Sequence, residues 1–340
     1  MTGRKPLPLI LALVLTCAFA PLAEAKKKKK DDVEQIGNRR VAHRSLISRE
    51  KEIRIGKQYS AQIERSARLV KDPVVNEYVN RVGQNLVRNS DAKIPFSFRV
   101  IDNPSLNAFA IPGGYIYIHS GLILAADEED ELAGVLAHEI AHITARHWAA
   151  RQTKGAILQM AQIPLIILTG GLSYPAYYGV WNAFGFAVPI AFMKFSRGAE
   201  TESDYLGIQY MYKAGYDPEA YISFFSKILQ ENRKNPGSVP KIFMSHPPTA
   251  DRILKAEDAI ENILPEKDRY LVSTSEFDDV KARMRTVISQ MRGEMAEKEK
   301  GRPTLKRRSD DEGDGDDKPP VLRRRDGEEP AEVKKEEEKK

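Results

Sequence analysis

Two histidines and a glutamate form a short pattern that could do hydrolytic chemistry. The stretch VLAHEIAHITARHW, residues 135–148, places His138 and His142 four residues apart, with Glu139 between them. On a helix this spacing is about one turn, so both imidazoles can reach the same ion. Zinc binds imidazole nitrogen and carboxylate oxygen in a tetrahedron. Glu139 would lie close to the ion but free of it, where its carboxylate can take a proton from a water activated by the metal.

Histidines at this spacing also occur on ordinary helices, so a third ligand has to separate the two interpretations. The metzincin arrangement needs a glycine three residues after the second histidine and another histidine three residues further on. Ala145 and Trp148 stand at those positions, and His147 is one place short. The metzincin arrangement is therefore excluded. A carboxylate from a later helix is the other common solution.

The segment SRGAETESD, residues 196–204, offers such a carboxylate. Glu200 and Asp204 are four residues apart and would share one face of a helix. Glu200 can ligate the zinc, and Asp204 can accept a hydrogen bond from the outer nitrogen of a ligating histidine and fix its tautomer. Glu202 is expected to point elsewhere. From composition alone, a solvated surface acid remains the better interpretation of Glu200.

Taken together, these motifs resemble those of metallopeptidase family forty-eight, the HtpX-like zinc endopeptidases. SRGAETESDYLG follows the pattern S-R-x-x-E-x-E-x-D-x-x-G, with Ser203 where the family usually has alanine. NAFAIPGGYIYIHSGLI (107–123) is similar to the family's strand segment before the zinc helix, and SHPPTADRI (245–253) is similar to its late signature. The resemblance runs from about residue 50 to 290. Within the family it is most similar to the periplasmic protease domain of BepA-like proteins, but a charged tail stands where those proteins have helical repeats.

The resemblance implies one Zn²⁺ per chain, and it implies a ligand set consisting of His138, His142 and Glu200. It also implies that Glu139 is the general base. His246 would either approach the metal as a fourth ligand and keep the enzyme latent, or stabilise the tetrahedral intermediate. Arg252 would be a fixed cation suited to a developing oxyanion. From the residues alone, HPPT is only a turn before a helix, with Thr249 as its cap.

The elements that must position these residues indicate an α+β fold. We expect a mostly helical, zincin-type domain with a small antiparallel sheet beside the H-E-x-x-H helix. Asp72 and Pro73 predict the start of a helix before that sheet. The Pro-Gly-Gly turn within residues 107–123 predicts a pair of short strands. We expect the strand Tyr115–His119 to present its edge to an extended substrate.

The first 25 residues have the pattern of a secretory signal peptide. Arg4 and Lys5 precede a short apolar run, and a small-x-small cleavage site ends at Ala25. The alternatives are a membrane anchor and a lipoprotein acylated at Cys17. Cleavage would remove this only cysteine and lower the formal net charge from +5 to +4. A mature chain without cysteine excludes cysteine proteases and zinc ribbons.

The remaining chain divides into three predicted parts. A basic leader or linker covers residues 26–45, the zinc metallopeptidase domain covers 46–293, and a disordered charged tail covers 294–340. Within the domain, residues 155–193 carry no charged side chain. This segment is expected to be buried or lid-like, and the alternative is peripheral contact with a membrane. We find no arginine stripe interleaved with aromatic residues, so nucleic acid is not an expected partner.

The sequence therefore predicts an exported, periplasmic zinc endopeptidase for protein quality control. Its expected substrates are unfolded or misassembled envelope proteins, and the outer-membrane assembly machinery is a possible partner. The alternative functions are a chaperone-like or scaffolding factor with little proteolysis, and a membrane-associated protease.

Overall fold

The computed structural model describes residues 32–168, 195–234, 246, 249–271 and 275–300. The helices within these ranges are α1 (Arg49–Ser66), α2 (Pro73–Arg88), α3 (Ser120–Ala125), α4 (Glu129–Thr144), α5 (His147–Leu168), α6 (Arg197–Ala214), α7 (Glu219–Lys234), α8 (Ala250–Ile263) and α9 (Ser275–Lys300). The strands are β1 (Ser97–Ile101), β2 (Ala108–Ile111) and β3 (Tyr115–His119). The predicted α+β class, mostly helical with a small sheet, is confirmed.

Local sequence signals explain where the key helices begin and end. Asp72 caps α2 by accepting a hydrogen bond from the Val75 N–H, and Pro73 occupies the first helical position, as predicted. Ser196 caps α6 by accepting from the Ala199 N–H. α6 ends at Gly215, whose φ of 96° is readily available only to glycine.

The sheet is mixed rather than purely antiparallel, and β3 is its middle strand. β2 and β3 form an antiparallel hairpin through the predicted Pro-Gly-Gly turn, where Gly113 and Gly114 adopt positive φ. β1 pairs in parallel with the other side of β3. The prediction that Tyr115–His119 presents its edge is wrong, because β1 and β2 occupy both of its sides. β2 is the edge strand beside the candidate site.

Helix α4 lies in the middle of the fold and is buried on all sides. Every residue from Asp130 to His142 is buried, and the helix packs against α2, α6, α7 and β2. A Cβ added to Gly207 of α6 would lie 3.1 Å from the backbone nitrogen of His138. The absence of a side chain at Gly207 therefore allows α4 and α6 to approach each other closely.

The structure extends the folded region beyond its predicted start. Val33 and Val41 are buried and Arg39 forms a buried ion pair with Asp91, although we assigned these residues to the leader. The lysine run at residues 26–30 favours an unfolded leader, but the few apolar residues that follow it pack into the domain. They are too few and too irregularly spaced to give a periodic signal in the sequence.

At the other end of the domain, α9 continues to Lys300, past the predicted domain end at residue 293. The contacts separate two units, Met1–Met295 and Ala296–Lys340. Of the second unit, the structure describes only residues 296–300, which are helical. The predicted signal peptide lies outside the described residues, and so does the tail beyond residue 300.

α5 covers the first part of the uncharged segment 155–193, and residues 169–194 lie outside the described ranges. Within the described parts of the chain, no helix combines the length and the apolar character needed to cross a membrane.

Candidate metal centre

Two neighbouring helices bring three predicted metal ligands together in the protein interior. His138 and His142 project from α4, and their Nε2 atoms are 3.0 Å apart. Glu200 projects from the first turn of α6, with Oε2 3.5 Å from His138 Nε2 and Oε1 3.7 Å from His142 Nε2. All three side chains are buried, so the donor atoms face one another rather than water.

His246 supplies a fourth donor from the segment before α8. Its Nδ1 lies 2.9 and 3.0 Å from the two Glu200 carboxylate oxygens and 3.5 Å from His138 Nε2. The four residues are grouped closely enough for all of their donor atoms to hold one metal ion. The structure therefore places His246 in one cluster with the three predicted ligands.

The spacing of these donors fits a tetrahedral ion. Zinc bonds of 2.0–2.1 Å to nitrogen and oxygen put neighbouring ligand atoms roughly 3.3 Å apart. The separations given above run from 2.9 to 3.7 Å. Imidazole and carboxylate donors in this number suit zinc, although other divalent transition metals also bind such ligands.

Electrostatics in the cluster favour a cation. Burial opposes charge on His138, but the hydrogen bonds that its ring donates to the Asp204 and Glu200 carboxylates raise its pKa to about 9. Burial, together with repulsion from His138, lowers the pKa of His142 well below its usual value. Burial also opposes charge on Glu200, but His138 and His246 lower its pKa. A divalent ion would take the place of the positive charge that the protein otherwise holds as a proton on His138.

Glu139 lies beside the cluster without joining it. Its Oε2 accepts a hydrogen bond of 2.9 Å from the Ala110 N–H of strand β2, and its Oε1 is 3.9 Å from His246 Nε2. Burial raises the pKa of Glu139. A nearby divalent cation would counteract this shift, because it favours the charged carboxylate.

Asp204 holds the outer nitrogen of His138, at the place where we expect it. The Asp204 Oδ1 atom is 2.9 Å from His138 Nδ1. Arg252 clamps the same carboxylate, with Nε 2.7 Å from Oδ2 and Nη2 2.6 Å from Oδ1. Burial opposes the charge on Asp204, but these hydrogen bonds lower its pKa. The carboxylate is therefore a charged, fixed acceptor for the His138 Nδ1 proton, and this contact directs Nε2 toward the other donors of the cluster.

Arg252, which we expect to be a cation available to a developing oxyanion, contacts other residues of the centre in the structure. Besides clamping Asp204, its Nη1 lies 3.2 Å from Glu200 Oε2 and donates to the backbone oxygen of His246. The guanidinium therefore links three residues around the metal position, and its donors are already engaged with them. This arrangement favours a positioning role.

Sequence reasoning missed two residues that contact the ligands. Tyr221 of α7 donates its hydroxyl hydrogen to Asp204, and His147 lies with Nδ1 3.0 Å from His142 Nδ1. Neither has a spacing signal, because Tyr221 comes from a separate helix and His147 follows a break between α4 and α5 at Arg146 (φ 59°). Glu202 points away from the cluster, as expected, and contacts His43 and His147.

Residues 73–260 of the chain match the model of Peptidase family M48. The match covers more than half of the 340 residues. The chain belongs to peptidase family M48. The family predicted from the order of the sequence motifs is therefore confirmed.

Several known proteins are similar to this chain. A beta-barrel assembly-enhancing protease from Escherichia coli (strain K12) is 30% identical over 279 residues, which are 81% of this chain and 56% of that protein. A protein of the same name from Yersinia pestis is 32% identical over 226 residues, 65% of this chain and 46% of that protein. Mitochondrial metalloendopeptidase OMA1 from Schizosaccharomyces pombe is 34% identical over 186 residues, 53% of this chain and 52% of that protein. The chain spans about half the length of these relatives.

Proposed function

We propose that the protein is a zinc-dependent endopeptidase of the bacterial cell envelope. The observation that carries this proposal is a buried cluster of four donors at tetrahedral spacing, with the Glu139 carboxylate just outside it. The ligands would be His138, His142 and Glu200. Membership of a peptidase family supports hydrolysis of peptide bonds as the reaction.

Zinc bound at this centre would polarise a peptide carbonyl and make a water molecule a stronger nucleophile. Glu139 would take the proton from the attacking water and pass it to the leaving amine. The Ala110 N–H holds one Glu139 oxygen, which leaves the other oxygen directed toward the cluster. Asp204 and Arg252 would keep the ligands in place during the reaction.

The outer edge of β2 is the surface that we propose for the substrate. The outward-facing N–H of Ala110 already bonds Glu139, so this edge runs directly past the general base. A groove lies along the same edge, lined among others by Ile111, Pro112, His142 and Trp148. An extended peptide that pairs with β2 would be recognised through its backbone. Unfolded or misassembled envelope proteins meet that requirement, because their backbone groups are available for pairing.

His246 would regulate this activity. As a fourth ligand it completes the tetrahedron and leaves no place for water or substrate at the metal. Displacement of His246 would therefore activate the enzyme. His246 belongs to neither α4 nor α6, so its displacement would leave the other three ligands on their own helices.

The presence of His246 in the donor cluster also supports a second candidate function. A protein that is held latent by His246 could act mainly as a chaperone-like or scaffolding factor for outer-membrane protein assembly, with little proteolysis. A Glu139→Gln variant separates the two functions in cells. Full complementation by this variant would favour the scaffolding role.

We further propose that residues 1–25 export the protein to the periplasm, and that the outer-membrane assembly machinery is a partner. The name of the relatives, beta-barrel assembly-enhancing protease, supports this partner. Cell fractionation tests the location: release with the periplasmic fraction is expected, and retention in the cytoplasm would contradict export.

Digestion of casein, an unfolded substrate, tests the proposed function. Zinc-loaded protein carrying His246→Ala, in which the fourth position is open, should cleave casein faster than the latent wild type; a chelator should stop cleavage, and added zinc should restore it. In this background Glu139→Gln should retain zinc but lose about 10²–10⁴-fold in rate, the usual contribution of general acid–base catalysis. Glu261→Gln, an exposed substitution on α8, is the matched control and should cleave normally. Chelator-resistant cleavage, or full activity of Glu139→Gln, would contradict the proposal.

A further inference from the structure

The second histidine of the centre has an unusual partner on its outer side. His142 directs Nε2 toward the other ligands, and its Nδ1 lies 3.0 Å from His147 Nδ1. Both imidazoles are buried. On its own far side, His147 Nε2 lies 3.2 Å from Glu202 Oε2. Three side chains thus form a line that leads from the metal position to a carboxylate.

The positions of the protons in this line follow from metal binding. A histidine that offers Nε2 to a metal carries its proton on Nδ1, and that N–H needs an acceptor when it is buried. Among the described residues, the only group within hydrogen-bond distance of His142 Nδ1 is His147 Nδ1. His147 must therefore accept at Nδ1 and carry its own proton on Nε2. That N–H faces the Glu202 carboxylate, which accepts it.

We propose that His147 and Glu202 are positioning residues that fix the orientation and tautomer of His142 through this chain of hydrogen bonds. The inference rests on the metal site proposed above. In this arrangement a carboxylate orients each of the two histidine ligands. Asp204 contacts His138 directly, and Glu202 acts on His142 through the imidazole of His147. The H-E-x-x-H motif by itself does not predict that His147 and Glu202 lie behind His142.

A second metal site is the competing interpretation of the same residues. His43, His147 and Glu202 are close enough to hold an ion, and His43 Nε2 is 2.6 Å from Glu202 Oε2. A metal on His147 Nε2 would move the proton of that ring to Nδ1. This N–H would then face the N–H of a metal-bound His142 at 3.0 Å, donor against donor. Occupation of the first centre therefore disfavours a metal at the second position.

Two amide substitutions of His147 show whether this residue orients His142 through a hydrogen bond or only packs against it. Asn places its carbonyl oxygen near the position of histidine Nδ1, whereas Gln places its amide near the position of Nε2. His147→Asn can therefore still accept from His142, and His147→Gln can only reach Glu202. The proposal predicts that zinc affinity falls about 10–100-fold in His147→Gln and His147→Ala. His147→Asn should recover most of that loss, and Glu202→Gln should lose less than His147→Ala.

Zinc affinity is measured on the full purified chain by competition with a chromophoric chelator, and Co²⁺ replaces zinc for spectroscopy. The intensity of the Co²⁺ d–d bands reports ligand geometry, so it should change in His147→Gln and stay near wild type in His147→Asn. Denaturant unfolding of the metal-free variants shows whether each one is folded. His43→Ala is the matched control: it contacts the same Glu202 from a partly exposed position and should leave zinc affinity within about twofold.

The possible outcomes separate this inference from the metal site on which it rests. Equal losses in His147→Asn and His147→Gln, or normal affinity in His147→Ala, would overturn the orienting role while leaving the metal site intact. Two tight zinc ions per chain, one of them lost in His43→Ala, would establish the second metal site instead. Unchanged affinity in His142→Ala would show that the proposed metal site itself is wrong.

Discussion

Asp204→Asn is a demanding test of the way in which the protein holds its metal ligands. The Asp204 carboxylate accepts two N–H bonds from Arg252, an O–H bond from Tyr221 and the Nδ1–H of His138. An asparagine at the same position has one acceptor oxygen and a donating amide. At least one buried donor would then face another donor.

The structure allows the cost of Asp204→Asn to be divided into two parts. Loss of the charge leaves Arg252 in the interior without its main carboxylate, and breaking a buried ion pair in this way costs about 3–5 kcal/mol of unfolding free energy. The second part falls on the metal, because His138 loses its charged acceptor. Substitution of such partners weakens metal binding about 10–100-fold, which corresponds to roughly 1.4–2.8 kcal/mol.

The assay measures both parts on the same preparation. Urea unfolding of the metal-free protein gives the stability change, and chelator competition gives the change in zinc affinity. Asp251→Asn is the matched control, because Asp251 neighbours Arg252 but forms an exposed pair with Lys255. That pair contributes less than about 1 kcal/mol and has no contact with the metal centre. This account of the centre would be refuted if Asp204→Asn bound zinc within about twofold of the control and if its free energy of unfolding lay within about 1 kcal/mol of the control.

Other predictions follow from the same contacts. Tyr221→Phe removes one donor to Asp204 and should cost about 1–3 kcal/mol in urea unfolding, and no measurable cost would show that the bond is dispensable. Gly207→Ala should weaken zinc binding by forcing the two ligand helices apart. Gly198→Ala, which has open space around it, should instead stabilise the same helix by up to about 1 kcal/mol. Equal zinc affinities of the two variants would contradict the close-packing argument. Burial lowers the pKa of His119 to about 4, so its stabilising contribution is complete above pH 6.5 and is lost as the pH falls toward 4. His119→Asn should therefore abolish about 2 kcal/mol of the stability loss between pH 8 and pH 5 in urea titrations, and parallel pH curves for both proteins would show that this residue does not titrate as stated.

The local chemistry of the centre could be predicted from the sequence because each part has a short-range signal. The i, i+4 spacing within α4 and the same spacing of Glu200 and Asp204 define which side chains share a helix face. The start of α2 was also predictable, since capping residues act on the neighbouring backbone.

The remaining features depend on packing between distant segments. The position of β3 between two strands could not be predicted, because strand order is determined by tertiary contacts rather than by the hairpin turn. The burial of α4 on all sides could not be predicted either, because the charged residues in its first turn are typical of a helix at the protein surface. The contact between His147 and His142 requires the break at Arg146 that redirects the chain.

Anomalous diffraction at the zinc edge, on crystals of the zinc-loaded protein, tests the central claim most directly. The account predicts one strong peak per chain, with His138 Nε2, His142 Nε2 and a Glu200 oxygen each about 2.0–2.2 Å from it. A protein that takes up zinc without a peak at this position, or with its only peak among His43, His147 and Glu202, would contradict the proposal that α4 and α6 together hold the metal of a peptidase.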